Sequence, residues 1–451
     1  MSTLIGHDES VPSAVSRLTS DRTARRIATC CEAGLDVAAV PFFPLLVLVP
    51  RGTIPLLSVA GVCAAGLVLS VGGRRPSPAL RFTAALLGCL LAWGTVSALW
   101  SVDPSRSLIV AARLAGLFAV GLVLAWAAER VKAPDRLTFL LLVGLALGIA
   151  TAAADFVTQG MLGAPFTDRA YQPAALNRAS VSFAILLLPA SAVLVRCDRA
   201  ILALISATLT AALIYVLAGT AAKGALLAGF SMGLLLYFWR ARVARVAAVM
   251  SVLIIITSPL SLAKLAQRAP LWEAADAVKL SAGHRLLIWS FTGDRIAERP
   301  LSGWGLDASR AMPGGKDLIR PHQTWMPLHP HDAPLQLWLE LGVLGAAVFA
   351  LLVALAWFAI AATYWPRLFA AAAGASLMAA LMASFASYGI WEEWWLGTLL
   401  FVMFAIIVMA RVATSRGYAP VGVAQLQTFG GRETTAEIEI HSNPAAARCG
   451  S

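Results

Sequence analysis

The sequence has 451 residues, of which 59% are hydrophobic and only 13% are charged, and its mean hydropathy is +0.77. Soluble proteins carry about 25% charged residues, so this composition excludes a soluble globular protein. The net charge of +11 does not indicate a nucleic-acid partner, because membrane proteins collect Lys and Arg in their cytoplasmic loops. The six cysteines form no CxxC pair and none lies in the longest loop, which excludes a disulfide framework and a cysteine zinc site.

Apolar runs of about 20 residues, each long enough to cross a bilayer, recur along the chain. They predict an all-α, polytopic transmembrane helix bundle of about twelve spans. The predicted spans are 34–50, 54–72, 82–100, 108–128, 137–157, 177–195, 200–219, 221–239, 246–264, 333–363, 368–388 and 394–411. Spans one to nine thus occupy 34–264 and spans ten to twelve occupy 333–411, with a large helical loop at 265–332 between them. Polar tails flank the bundle at 1–33, which is no secretory signal peptide, and at 412–451, which we predict to be disordered.

The short loops carry Lys and Arg on one side of the predicted bundle, and this bias sets the orientation. The basic side, which we assign to the cytoplasm, holds Arg17, Arg22, Arg25, Arg26, Arg74, Arg75, Arg81, Arg130, Lys132, Arg136, Arg196, Arg199, Arg240, Arg242, Arg245, Arg367, Arg411 and Arg416. The opposite short loops hold few basic residues, and one of them carries Glu392 and Glu393 instead. Both tails are therefore predicted to be inside, and the loop 265–332 outside.

Three basic residues lie within spans near their predicted outer ends, where a charge is costly unless it is paired or faces a polar cavity. They are Arg113, Arg178 and Lys223. Each of them alone could extend towards lipid headgroups. Together with Arg285 in the outer loop, they predict a cationic pocket for an anion with several phosphate oxygens, which Lys and Arg both complement.

Four of the six histidines lie in the outer loop, at His284, His322, His329 and His331. His322 with the His329–His331 pair could form a zinc ligand set, but no cysteine or well-placed carboxylate joins them. We therefore expect no metal, and we expect structural roles for His284, His322 and His329.

His331 differs from the others because it precedes a helix. Asp332 is predicted to cap that helix, whose first turn contains Pro334, and the helix is expected to continue to about Tyr364. A helix of that length exceeds the hydrocarbon core, so His331 would stand at an exposed helix N-terminus, whose dipole disfavours the imidazolium form. A neutral histidine in that position is a candidate general base.

Further polar and aromatic residues are predicted near the same outer surface. Gln336 and Glu340, spaced i and i+4, lie on one helix face and are candidate substrate-binding residues, or else a polar stripe buried against neighbouring helices. The tryptophans nearby are those of the stretch 388–397, with Trp289, Trp304, Trp325 and Trp338. They form either a headgroup belt or stacking surfaces for sugar rings.

The stretch "HDAPLQLWLELGVLG" at 331–345 resembles the signature of the O-antigen ligase and O-antigen polymerase superfamily. In that signature a His followed by Asn, Ser or Gln is separated by nine residues from Gly-x-x-Gly. His331, Asp332, Gly342 and Gly345 fit the spacing, although Asp332 stands where an amide or hydroxyl is usual. The stretches "RLLIW", "RPLSGWG", "LAGTAAKGALLAG" and "LWSVDPSRSL" are similar to other parts of the family.

This resemblance implies an inverting, GT-C-type glycosyltransferase of a Gram-negative inner membrane that uses no metal and no nucleotide sugar. Its donor would be a glycan on undecaprenyl diphosphate at the periplasmic face, and its acceptor would be lipid A–core or a second lipid-linked glycan. Position by position, His331 would be the catalytic residue, while Arg285 and Lys223 would hold the diphosphate. Asp332 would share the substrate site, where its carboxylate could raise the pKa of His331 or take the proton itself.

The acceptor stays open within this resemblance. A ligase moves a finished polymer onto lipid A–core, a polymerase moves a growing chain onto another lipid-linked repeat, and protein O-oligosaccharyltransferases share the signature. We favour the ligase over the polymerase. A transporter of lipid-linked glycans would need charges at mid-membrane and broken helices in both halves, whereas the unusual charges here lie at outer ends. A substrate-binding helper without catalysis is a third alternative.

Overall fold

The computed structural model describes residues 14–72, 75–167, 172–217, 219–278 and 280–415, and most of these are helical. The helices are α1 (Ala14–Ala39), α2 (Phe42–Leu48), α3 (Thr53–Val71), α4 (Pro78–Val96), α5 (Pro104–Ala128), α6 (Pro134–Val157), α7 (Asn177–Arg196), α8 (Ala200–Leu217), α9 (Thr220–Ser258), α10 (Lys264–Ala266), α11 (Ala269–Val278), α12 (Leu280–Glu298), α13 (Ala333–Ala362), α14 (Arg367–Ala386) and α15 (Glu393–Ser415). Short 3₁₀ turns lie at Pro50–Gly52, Ser97–Leu99, Ala164–Phe166, Pro173–Leu176 and Ala308–Ala311, and a π-helical turn at Pro259–Ala263. Two short antiparallel strands, β1 (Leu318–Arg320) and β2 (Gln323–Thr324), complete the described elements.

Eleven helical stretches in the described residues are long and apolar enough to cross a membrane, which confirms the all-α, polytopic bundle. One of them, Thr220–Ala266, has 47 residues. At 1.5 Å per residue it would measure about 70 Å, more than twice the hydrocarbon thickness. The helix is interrupted at Trp239, which has non-helical dihedral angles of φ −133° and ψ 42°.

The two limbs of α9 run in opposite directions along α13 and α14. The middle of α9 contacts the turn between those helices: Arg240 donates to the carbonyl of Trp365 (3.3 Å), and Arg367 donates to the carbonyl of Phe238 (3.2 Å). The two ends of α9 lie beside the far ends of α13 and α14, where Trp338 donates to the carbonyl of Ile255 (2.8 Å) and Gly224 is next to Met382. The chain therefore doubles back at Trp239. If the limbs are counted separately, the spans number twelve, and the ninth crossing lies at about 240–258 rather than 246–264.

We call the end of the bundle that carries Pro259–Ala263 and residues 299–332 the loop end. The first candidate span is Arg22–Leu48, and α1 already begins at Ala14, inside the segment predicted as a polar tail. Helix α15 likewise continues to Ser415, past the predicted end of the last span. The remaining predicted tail residues, 1–13 and 416–451, lie outside the described residues.

The largest packed core lies among α1–α3, α5–α7 and α15, and buried residues of α8, α9 and α14 also belong to it. Its centre is aromatic: the rings of Phe42 and Phe401 stack with centroids 3.7 Å apart, and the ring of Phe43 meets Phe401 edge-on at 5.9 Å. Burying such rings and packing them face to edge stabilises this part of the bundle. Phe401 belongs to α15, so the same packing holds α15, which follows the segment 387–392 at the loop end.

Helix α13 is not the uninterrupted helix that the sequence predicted. It breaks at Gly342, whose φ is 64° and ψ −160°, and a Cβ there would collide with the carbonyl group of Leu301, so only glycine fits. The turn 299–305 enters the break and takes up the exposed backbone groups. The hydrogen bonds run from Trp304 N to Leu339 O (2.9 Å), Gly305 N to Glu340 O (2.9 Å), Val343 N to Pro300 O (3.0 Å) and Trp93 Nε1 to Leu341 O (2.8 Å). The break thereby fastens the outer loop onto α13.

Candidate functional site

The segment Ser387–Glu392 connects α14 to α15 at the loop end, and we call it the linker. The last residue of α14 and the beginning of the linker contact α12, the residues before α13, and α7. Arg285 Nη1 donates to the carbonyl of Ala386 and His331 Nδ1 lies 2.8 Å from the carbonyl of Ser387. The hydroxyl of Tyr388 donates to the carbonyl of Asn177 at 3.2 Å. The end of α14 and the linker therefore join α7 to two parts of the loop 265–332, α12 and the residues before α13.

His331 has a left-handed backbone with a φ of 58°. Its backbone N–H donates to Nδ1 of His329 at 3.1 Å, and Trp289 Nε1 donates to the carbonyl of Pro330 at 2.9 Å, so the ring position is fixed from two sides. A carbonyl oxygen only accepts, so the bond to Ser387 requires the proton to be on Nδ1 of His331. This tautomer leaves the lone pair on Nε2. The residue is half-buried rather than exposed as the sequence suggested.

Burial controls the charge of both neighbouring histidines. Burial is the largest effect on His331 and lowers its pKa. The hydrogen bond to Ser387 acts in the opposite direction, and the charges of Arg285 and His284 lower the pKa further by smaller amounts. Burial, followed by the charges of His331, Arg310 and Arg285, lowers the pKa of His329 to about 3. Both rings are therefore neutral at physiological pH. Because Nδ1 of His329 accepts a hydrogen bond, its proton is on Nε2.

The predicted cations fall in different places. Arg285 and Arg178 are both near Tyr388, where their charges act to lower its pKa, although burial is the larger effect and raises it. The guanidinium of Arg178 also lies over the ring of Trp394, 5.5 Å from its centroid. Lys223 is exposed, with its Nζ 4.6 Å from the ring centroid of Tyr215, and within the described residues no contact joins it to His331.

The later part of the linker borders a cavity of about 720 Å³, which also contains Arg113. Its lining consists of Arg51, Ile54, Ser58, Arg106, Val110, Arg113, Leu114, Gly116, Leu117, Val120, Asp307, Arg310, His329, Gln336, Gly389, Trp391, Glu392, Glu393 and Trp394. Four ion pairs lie in this lining, Arg113–Glu393 at 2.9 Å, Arg310–Glu392 at 2.9 Å, Arg106–Asp307 at 2.6 Å and Arg310–Asp307 at 3.5 Å. The four sequence-predicted cations thus do not form one pocket.

Asp332 and Glu340 are both buried, and both have structural contacts. Asp332 Oδ1 accepts the N–H of Leu335 at 2.8 Å and so caps α13, as predicted. Burial raises the pKa of Asp332 to about 7. Glu340 accepts four hydrogen bonds, from Asp307 N (2.6 Å), the Ser309 hydroxyl, Gln336 Nε2 (3.0 Å) and Trp391 Nε1 (2.5 Å). Both of its oxygens are occupied, so the geometry gives it a structural role between the loop, α13 and the linker.

Gln336 also joins these elements, since its Oε1 accepts the N–H of Ile390 at 3.0 Å and the residue lines the cavity. Sequence reasoning missed Ser387, Asp307, Ser309 and Arg310. The stretch "RPLSGWGLDASR" was the available signal for Asp307, Ser309 and Arg310, because these polar residues follow the closely spaced Gly303 and Gly305 of a turn. No such signal marked Ser387, whose backbone carbonyl makes the contact. Across the described residues, no three His, Cys, Asp or Glu side chains are grouped closely enough to hold a metal ion.

Comparisons with known proteins agree with the resemblance seen in the sequence. Residues 207–350 match the family described as O-antigen ligase. A protein of Rickettsia conorii named "Putative polysaccharide ligase" is 30% identical over 154 residues, which cover 33% of this chain and 37% of the relative. Proteins of the same description from Rickettsia prowazekii (32% over 145 residues, 29% and 34% coverage) and Rickettsia typhi (28% over 196 residues, 40% and 46%) are also similar.

The matched part of the chain spans less than half of the length of each of these relatives. It includes α9, the outer loop and the first half of α13, which together carry Lys223, Arg285 and His331. The comparisons confirm the predicted resemblance: residues 207–350 of this multi-pass membrane protein are similar to the O-antigen ligase family.

Proposed function

We propose that this protein is a ligase-type, inverting glycosyltransferase that moves a glycan from undecaprenyl diphosphate to a hydroxyl of lipid A–core at the periplasmic face of the inner membrane. The family match supports glycosyl transfer in a membrane, and the printed names of the relatives favour ligation over polymerisation. No metal takes part in the proposed reaction.

The tautomer of His331 is the observation that carries the proposal. The hydrogen bond to Ser387 keeps the proton on Nδ1, and burial keeps the ring neutral, so Nε2 is a free acceptor. The acceptor hydroxyl gives its proton to Nε2 as its oxygen attacks the anomeric carbon. The bond from that carbon to the diphosphate oxygen breaks, and its electron pair leaves with the diphosphate. One displacement of this kind inverts the anomeric configuration.

Charge develops on the leaving diphosphate, and fixed cations are most effective where charge appears. Arg285 is half-buried near the beginning of the linker, with one N–H bonded to Ala386 and its other N–H groups left for phosphate oxygens. Arg178 and Lys223 are assigned to the same diphosphate, Lys223 on the family resemblance alone. A diphosphate leaves without protonation, so no general acid is required.

The test compares purified wild-type protein with His331→Asn and His322→Asn. Both histidines have a left-handed φ, 58° and 64°, and Asn tolerates that backbone, so the two substitutions are matched. His331→Asn should lower transfer of undecaprenyl-diphosphate glycan to lipid A–core by about 100-fold or more, because a general base is lost. His322→Asn should retain activity, since His322 is exposed and outside the site.

The products distinguish the alternatives. Glycan on lipid A–core establishes a ligase, whereas extension of the donor in a reaction without lipid A–core establishes a polymerase with the same chemistry. Absence of transfer by wild-type protein to either acceptor would refute the proposal and favour transport. Equal activity of His331→Asn and wild type would remove His331 from catalysis.

A further inference from the structure

The cavity beside the linker is a groove that runs along the side of the bundle. It follows α5 from Arg106 to Val120, about 21 Å at 1.5 Å per residue, and α3 forms the facing side. Arg113 and Gly116, both on α5, are exposed, so the groove is open towards the surrounding lipid. At the loop end it reaches His329 and the linker.

We propose that this groove binds the acceptor, a membrane-anchored glycolipid whose sugars lie at the loop end and whose hydrocarbon chain lies between α3 and α5. This inference rests on the proposed function and adds to it the site at which the second substrate binds.

The polarity of the groove changes along its length in the way an amphipathic lipid requires. Its deep part is lined by the apolar residues Ile54, Leu114, Leu117 and Val120, and by Ser58, whose hydroxyl donates to the carbonyl of Ile54 at 3.0 Å. Its part nearest the loop end carries the Arg106–Asp307 and Arg310–Glu392 ion pairs together with the buried Trp391. A chain in the deep part is removed from water, and a sugar headgroup at the loop end meets donors and acceptors.

The charges favour an acceptor over the diphosphate donor. Arg106, Arg113 and Arg310 are already paired with three carboxylates, so these pairs contribute no net charge. Arg51 is the one arginine of the lining that no carboxylate pairs with among the described residues. Such pairs suit sugar hydroxyls, which both donate and accept. In contrast, no carboxylate pairs with Arg285 or Arg178 among the residues that the structure describes. A diphosphate is better complemented by these uncompensated cations.

His329 connects the groove to the proposed base. It lines the groove, its proton is on Nε2, and its ring centroid is 4.3 Å from that of His331. Gly389 of the linker lies against the same ring, where a Cβ would come within 2.8 Å of Cδ2. An acceptor sugar at this end of the groove is therefore next to His331, with a neutral N–H donor beside it.

Gly116→Leu tests the assignment in the full-length protein. A Cβ at Gly116 meets no atom within 4 Å, so the added side chain enters the groove without a clash. Gly88→Leu on α4 is the matched control, because that glycine is also exposed, also has no atom within 4 Å of a Cβ, and does not line the groove. The measurements are the acceptor KM with lipid A–core at saturating donor, and the Kd for undecaprenyl diphosphate.

We expect Gly116→Leu to raise the acceptor KM at least about tenfold, since lost apolar burial of 1.4 kcal/mol gives that factor, with the donor Kd unchanged within twofold. Gly88→Leu should change neither. An unchanged acceptor KM in Gly116→Leu would overturn the groove assignment and leave the proposed function intact. A weakened donor Kd would overturn it by assigning the groove to the donor. Transfer absent in wild type would refute the proposed function and this inference together.

Discussion

Glu340→Gln should loosen the loop end of the bundle. The carboxylate accepts two hydrogen bonds on each oxygen, from Ser309 and Gln336 on Oε1 and from Asp307 and Trp391 on Oε2. An amide NH₂ cannot accept, so either orientation of a glutamine side chain sets its NH₂ against two donors.

The cheaper orientation directs the NH₂ towards Ser309, whose hydroxyl can turn and accept, and towards Gln336. The amide of Gln336 cannot turn without losing its bond from Ile390 N. An unsatisfied buried donor costs about 1–3 kcal/mol, so the loss of the Gln336 bond together with the weakened contacts to Ser309 amounts to about 2–4 kcal/mol.

The assay is thermal unfolding of the purified protein in detergent. At about 2 °C per kcal/mol for a long chain, Glu340→Gln should lower the apparent melting temperature by about 4–8 °C. Glu393→Gln is the control, because Glu393 forms an exposed ion pair with Arg113, and such a pair contributes at most about 1 kcal/mol. Equal melting temperatures for Glu340→Gln and wild type would refute the assignment of Glu340 as the acceptor that joins the loop, α13 and the linker.

Three further predictions concern Asp332, His329 and Gly342. Asp332→Asn keeps the helix cap and removes a carboxyl group whose pKa is raised by burial from 3.8 to about 7. Ionisation of this group lowers the stability of the wild-type protein as the pH rises across that range, so the melting temperature of the variant should exceed that of wild type by more at pH 8 than at pH 5. His329→Ala removes the acceptor of the His331 N–H and should lower kcat about tenfold, whereas His329→Asn, which retains an acceptor, should restore most of it; equal kcat values for the two variants would contradict this positioning role. Gly342→Ala should lower the free energy of unfolding by about 2 kcal/mol or more, because of the positive φ and the collision with Leu301, and should therefore severely reduce the yield of folded protein. Gly88→Ala, whose Cβ meets no atom, should express normally.

The sequence identified the parts of the fold that depend on local pattern. Apolar runs predicted the spans, and Asp332 with Pro334 predicted the beginning of α13, where the structure has the capping bond. The break at Gly342 was not predictable in this way, because the residues around it are apolar and helix-forming. It requires the turn 299–305 to supply donors for the exposed carbonyls, and that contact joins residues about 40 positions apart.

The candidate site was predicted only in part for the same reason. His331 and Arg285 could be selected from motif and topology, and the structure brings them to the neighbouring carbonyls of Ser387 and Ala386. The linker itself attracted attention only for its tryptophans, since backbone carbonyls carry no sequence signal. Arg113 was grouped with Arg285 by depth in the membrane, but its partner Glu393 places it in the groove. Depth in the membrane alone does not show whether a side chain faces the groove or the region of Arg285.

The pH dependence of kcat/KM for the donor tests the central claim, that neutral His331 is the base, most directly. Burial, with Arg285 and His284, lowers the pKa of His331 from its ordinary 6.5, so the base is available above that range and is lost as the pH falls through the lowered value. The account predicts a plateau above pH 6.5 and an acidic limb with an apparent pKa below 6.5, absent from the residual activity of His331→Asn. An acidic limb above pH 6.5, or the same limb in His331→Asn, would contradict it.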